Sequence, residues 1–463
     1  MAQLHGIITN ATVVTATNTQ QADIWWCGER IHQIAPNLQC QRPQWDVSID
    51  GTGLFALPGG IDPHTHLEMP FMGTTSSDDF ETGTRAALHG GTTTIIDFAM
   101  QRKGQTLFDT YHLWRDKAAK AVADYSFHVA VTDLNPDTLA EVPRLIEEEG
   151  IRSFKVFMAY KQALMVGDEA LLALLATTAR YGAKVLAHCE HGDMIDWLVQ
   201  QTRASGADIS DPRHHALTRP PLVEAEATGR FCDLAYLTGG LPYIVHLSCE
   251  EALQRLRFAR QRGQQVWAET CIQYLTLDDS LYDRPDAAKW VFSPPLRSQA
   301  DQHALWHALA QGELDTVATD HCPFCLPQKA MGADDFTRIP NGMPGIEHRL
   351  ELLYSEGVAT GQLSVNDWVR VSSTAAAQAF DLYPRKGSLD VGADADIVLF
   401  DPNARHTLGV ATHHMQCDYS AFEGREVQGK VAHVVRRGEW VLANGQLTAE
   451  RGSGQFLPRF ARL

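Results

Sequence analysis

Residues 56–66 read Ala-Leu-Pro-Gly-Gly-Ile-Asp-Pro-His-Thr-His, a strand-sized run that closes on Asp62-Pro63-His64-Thr65-His66. Side chains alternate faces along a strand, so His64 and His66 project to the same side, two rises apart. Two imidazoles at that spacing can hold one metal ion. An H-x-H pair alone is a weak signal, and its meaning depends on the rest of the chain. Seven more short β-rich runs come after it, at 92–98, 126–131, 153–158, 184–188, 243–247, 265–270 and 315–319. Stretches with helical spacing lie between most of them, including 78–89, 136–149, 168–181, 222–238 and 249–263. Several of these end on a glycine (Gly150, Gly182, Gly239, Gly263), the residue that best tolerates the left-handed turn closing a helix. Eight strands in strict β-then-α order predict an α/β chain, a (β/α)8 TIM barrel spanning residues 56–386. A doubly wound sheet is the structural alternative.

The two ends read differently. Residues 1–55 carry short alternating strands at 6–15 and 22–26, and residues 387–463 carry more at 395–400 and 431–442, punctuated by Asp-Pro and Asn-Gly turns. Neither end has enough strands to be stable alone. Pairing the N- and C-terminal segments predicts one small β-sandwich domain beside the barrel, plus a C-terminal extension.

Bulk properties narrow the function. With 44% hydrophobic and 21% charged residues, the 463-residue chain has an ordinary globular composition. A net charge of −17 argues against a nucleic-acid partner, which would require clustered lysine and arginine. No apolar stretch approaches the ~20 residues a bilayer needs, and no signal peptide opens the chain, so no membrane partner and a cytoplasmic location are expected. Nine scattered cysteines fit a reducing compartment. Cys322 and Cys325 spell C-x-x-C, a possible redox or zinc half-site, but no second C-x-x-C completes it.

Barrel enzymes carry their chemistry at the C-terminal ends of strands. Besides His64 and His66, three other runs end in metal-type residues: His188, His246 and Asp320. A core histidine is the usual explanation for any one of these, but coincidence does not explain all of them at one relative position. His191 and His321 are out of phase with this set and are read as structural or supporting groups. His89, His112, His128, His413 and His414 are read as structural. Lys155, inside Ile-Arg-Ser-Phe-Lys-Val-Phe-Met, is ambiguous: a strand-end lysine reaching solvent, or one that CO2 has converted to a bridging carbamate. Chemistry alone does not choose between them.

The stretches PGGIDPHTHLEMPFMG, DDFETGTRAALHGGTTTIIDF, SFKVFMAYKQALMV, VLAHCEH, YIVHLS, ETCIQYL, FSPPLR, VATDHCPF and IPNGMPGIEHR resemble the dihydropyrimidinase and D-hydantoinase branch of the amidohydrolase superfamily, in the family's order. The resemblance implies a binuclear-metal hydrolase that opens a cyclic amide or ureide to an N-carbamoyl amino acid through a metal-bridging hydroxide. It makes His64, His66 and Asp320 ligands of one ion and His188 and His246 ligands of the other, with Lys155 bridging both as N6-carboxylysine. The two divalent ions are expected to be Zn2+, with Mn2+ or Co2+ able to substitute. Asp320 is also the expected proton carrier. Tyr160 is assigned to the oxyanion, and Ser293 and Asn341 to the substrate's amide groups. A homotetramer is the family's usual assembly.

Substrate choice turns on the loop after His66. Dihydroorotase-like relatives generally have an arginine two residues on, whereas here the residue is Glu68, so an acidic ring is not expected. Met69, Phe71, Phe157 and Leu164 resemble an apolar gate around the ring substituent. A neutral cyclic ureide is the expected small-molecule partner, either a 5,6-dihydropyrimidine or a 5-monosubstituted hydantoin. The alternatives are an allantoinase and, with all six ligand positions retained, more remotely a non-catalytic scaffold of the same fold.

Overall fold

A computed structural model describes residues 4–460; the outermost residues of both expected terminal segments, 1–3 and 461–463, lie outside the described residues. Eight parallel strands form one sheet: β1 (Gly60–Thr65), β2 (Thr92–Met100), β3 (Asp124–Ala130), β4 (Ser153–Phe157), β5 (Lys184–His188), β6 (Leu241–Ile244), β7 (Trp267–Cys271) and β8 (Thr316–Ala318). Each pairs with the next in chain order. A parallel bridge between Thr65 and His321 joins β1 to the chain just beyond β8, and the His66 amide donates to the His321 carbonyl at 2.9 Å. The sheet is therefore a near-closed barrel. Its strands are buried on both faces, which is why they read as apolar runs with polar tips.

The intervening helices follow local sequence rules. In Pro136–Glu149 the Asn135 side chain accepts from the Asp137 and Thr138 amides, and proline occupies the first turn. Gly150 then ends the helix at φ 70°, a left-handed conformation that costs glycine little. Among the described residues no helix is long and apolar enough to cross a membrane.

The terminal segments build a second, mostly antiparallel sheet of nine strands. Phe55–Pro58 joins its two halves, pairing with His5–Val14 on one side and with Ile397–Thr407 on the other. The run expected as one strand over 56–66 is therefore two strands in two sheets, separated at Gly59. A Cβ at that position would lie 2.1 Å from Thr93 Oγ1, so only glycine lets the chain cross between the sheets there. The run expected at 431–442 likewise divides into Glu426–Arg436 and Glu439–Ala443.

Sheet and barrel are tied by a buried charge cluster. Lys386 Nζ reaches Asp124 at 2.5 Å, Asp396 at 2.6 Å and Asp394 at 3.0 Å, and Asp124 opens β3. Arg437 also pairs with Asp124, at 3.1 Å.

Candidate active site

The six expected ligand residues converge at the C-terminal mouth of the barrel. His64, His66, Lys155, His188, His246 and Asp320 line one cavity of about 50 Å³, together with Met69, Phe71, Met100, Phe157, Tyr160, Leu164, Phe292, Ser293, Cys322, Asn341 and Gly342. Strands alone do not deliver all of them. β6 stops at Ile244 and β8 at Ala318, so His246 and Asp320 lie just past the strand ends. Both have left-handed backbones, φ 40° and 50°, and Tyr160 does too at 61°. Non-glycine residues held there cost of order 1–3 kcal/mol each, and such strain gathers at functional sites.

Two groups of donors face each other. His64 Nε2 and His66 Nε2 each lie 3.1 Å from Asp320 Oδ1. The ligand atoms of these three residues all fall within 4.8 Å of one another, a geometry that can hold a metal ion. Opposite, His188 Nδ1 and His246 Nε2 stand 2.9 Å apart. The far nitrogens are anchored: His188 Nε2 to Glu190 at 2.9 Å, and His64 Nδ1 to Glu269 Oε1. Glu269 also accepts from the Tyr243 hydroxyl at 2.8 Å and from the His246 amide at 3.2 Å. Outer carboxylates of this kind fix imidazole orientation and raise ligand basicity.

The electrostatics match a cation site. Burial drives His66 down to about 4 and His246 well below the usual imidazole range, so both are neutral donors. Burial opposes ionisation of Asp320, yet His64 and His66 hold its carboxyl well below the ordinary range. Glu190 is also buried, but His188 and Arg219 bring it down to about 2. Lys155 is 1% exposed and, among the described residues, its Nζ has no hydrogen-bond or ion-pair partner; it sits 4.8 Å from the Phe98 ring and 5.2 Å from the Phe157 ring. Burial lowers it to about 8, against the pull of Asp320 and Glu269. Against its burial, Asp320 and Glu269 raise His64 to about 9, so it holds a proton that a bound divalent cation would displace. Four imidazoles, a carboxylate and an unpaired amine around one small space are the donor set such an ion takes.

The polar residues expected on the substrate side also meet. Asn341 Nδ2 donates to Ser293 Oγ at 3.0 Å and lies 3.5 Å from the Tyr160 hydroxyl. The Phe71 and Tyr160 rings, both in the lining, meet edge to face at 5.6 Å. Burial pushes the Tyr160 hydroxyl up to about 12, keeping it protonated.

One expectation is corrected. Glu68 does not offer its carboxylate to the cavity: the chain turns at φ 50°, and Oε1 bonds Lys120 Nζ at 3.0 Å. The cavity lining contains no arginine, and Lys155 is its one lysine. Sequence reading also missed Glu269, in the middle of β7, and Glu190, two residues past the end of β5; their only signal was a carboxylate in or just beyond a buried strand. His321 and His128 are supporting residues: His321 Nε2 pairs with Asp78 at 3.0 Å, and His128 bridges Ser153 and the Pro63 carbonyl.

Comparisons with known proteins agree with this architecture. Residues 55–441 match the model of the Amidohydrolase family. The chain is 47% identical to a D-hydantoinase of Geobacillus stearothermophilus, covering 98% of this chain and 96% of the relative. It is 40% identical to a dihydropyrimidinase of Arabidopsis thaliana, covering 99% and 86% respectively. The crystal structure of a dihydropyrimidinase from Brevibacillus agri superposes with a TM-score of 0.96 at 48% identity, covering 99% of this chain and all of that one (100%). The chain belongs to the amidohydrolase family, within its dihydropyrimidinase and D-hydantoinase branch.

Proposed function

We propose that this chain hydrolyses the ring amide of a neutral cyclic ureide, a 5,6-dihydropyrimidine or a 5-monosubstituted hydantoin, giving an N-carbamoyl amino acid. The observation that carries this reading is a six-residue donor ring set against an apolar wall free of arginine. The names of the relatives support it. His64, His66 and Asp320 would hold one divalent ion, His188 and His246 a second, and Lys155, carboxylated by CO2, would bridge them. Zinc suits these donors, and manganese or cobalt could replace it. A buried amine without a partner is otherwise expensive, whereas a carbamate supplies two anionic oxygens between cations. Bound metal supplies acidification of a water toward pKa ~7 and polarisation of the substrate carbonyl.

The chain's own groups do the rest. Asp320 accepts a proton from the attacking water and returns it to the ring nitrogen as the C–N bond breaks. Tyr160 donates its hydroxyl proton toward the oxygen that gains charge. Ser293 and Asn341 hold the ring's amide groups, while Met69, Phe71, Phe157 and Leu164 take the substituent and exclude water.

On this reading the catalytic barrel occupies 56–386 apart from residues 56–58, which pair into the terminal sheet, and 1–55 and 387–463 form the rest of the second domain, in a cytoplasmic homotetramer. Support for assembly comes from exposed apolar side chains on neighbouring helices: Trp197, Tyr236, Leu237 and Phe258 are 58, 56, 76 and 62% exposed. Turnover of dihydrouracil, 5-phenylhydantoin and allantoin by one purified sample tests the substrate class. Hydrolysis of the first two supports it; hydrolysis of allantoin alone overturns it.

A further inference from the structure

We propose that Cys325, Cys417 and Asp418 form a second, separate binding site for a thiophilic divalent cation, zinc or cadmium, that clamps the loop carrying Asp320. Both sulfurs and a carboxylate oxygen of Asp418 lie within 4.8 Å of one another. Zinc bonds of ~2.3 Å to sulfur and ~2.0–2.2 Å to oxygen need a contraction of only about 1 Å from there. The C-x-x-C of the sequence thus divides: Cys322 lines the active-site cavity, while Cys325 finds its partner far along the chain.

The three donors are positioned independently of any ion. The Leu326 amide donates to Asp418 Oδ1 at 2.8 Å and fixes that carboxylate. The Cys325 amide is held by Gln328 Oε1 at 2.8 Å, and its thiol lies 3.7 Å from the Gln416 carbonyl. Both thiols are free. Burial first, then the neighbouring Cys325, Asp418 and Asp78, push the Cys417 thiol up to about 12, so an ion bound here must displace its proton. Lys329 gives its hydrogen bonds to the Val291, Pro340 and Gly342 carbonyls, at 2.9, 2.8 and 2.6 Å, rather than to the cluster. Binding releases two thiol protons and leaves two thiolates, one carboxylate and one M2+, a net charge of −1.

The site would act on the mouth of the barrel through short connections. Cys325 lies a short loop beyond Asp320 in the chain. The Gln416 amide donates to Asp78 Oδ1 at 3.0 Å, and Asp78 holds His321 at 3.0 Å. A cation here joins the segment around Cys417 to both.

Titration of the metal-loaded protein with Cd2+ tests the proposal, read by thiolate-to-cadmium ultraviolet absorption, elemental analysis and thermal unfolding. The expected result is one further equivalent per chain with that absorption, two protons released and a raised Tm. Cys325→Ser and Cys417→Ser should each lose the added equivalent and the absorption while keeping the metal already bound. Asp418 is exposed, so Asp418→Asn is the variant least able to disturb folding; it should bind the added ion more weakly. Absence of the absorption in the wild type, its persistence in both serine variants, or a Cys325–Cys417 disulfide in the isolated protein would overturn the proposal.

Discussion

Replacing Glu269 with glutamine removes one negative charge from behind the metal-type cluster and almost nothing else. The carboxylate bonds His64 Nδ1 through one oxygen and the Tyr243 hydroxyl through the other. In Glu269→Gln the amide oxygen can still face His64. The amide nitrogen can then donate to Tyr243, whose own proton turns to Thr316 Oγ1, 2.7 Å away. Packing and hydrogen bonding thus survive, and the charge that makes His64 a stronger donor is lost. Removing such outer partners typically costs 10–100-fold in metal affinity or activity, about 1.4–2.7 kcal/mol. The assay is competition against a graded chelator, with kcat/KM measured on the same preparations and unfolding by urea as the control. A variant that folds normally yet binds metal and turns over like the wild type would show that Glu269 does not position His64.

Other outcomes stem from the same geometry. Tyr160→Phe should lower kcat by about 10²–10³ with little change in KM, the usual cost of one oxyanion donor; steady-state kinetics decides, and an unchanged kcat removes Tyr160 from the chemistry. Lys155→Ala should lose metal and activity together, with partial rescue by short carboxylic acids; full activity in the variant would refute a bridging role. Lys386→Met leaves Asp124, Asp394 and Asp396 buried without their ammonium, and should destabilise the fold by about 3–5 kcal/mol in urea unfolding. A shift below about 1 kcal/mol, the size of an ordinary surface pair, would mean that Arg437 suffices.

The barrel was legible because strands buried on both faces must be apolar along their length and polar only at their tips. The same logic exposed His64, His66, His188, His246 and Asp320 as a set. Contacts set by backbone conformation or by distant chain were not legible. The left-handed turn at Glu68 sends its carboxylate to Lys120, which no alternation rule reveals. Gly59 moves the chain between sheets because Thr93 fills the space a side chain would need. Glu269 and Glu190 acquire their roles only once other strands bring histidines to them, and Cys325 meets Cys417 only in the folded chain.

The chemical state of Lys155 decides whether the barrel mouth works as a bridged two-metal centre. Native mass spectrometry of the active protein, with peptide mapping and elemental analysis, should find one CO2 added at that lysine and two divalent ions in the barrel mouth. A fully active preparation with an unmodified lysine and no bound metal would contradict it.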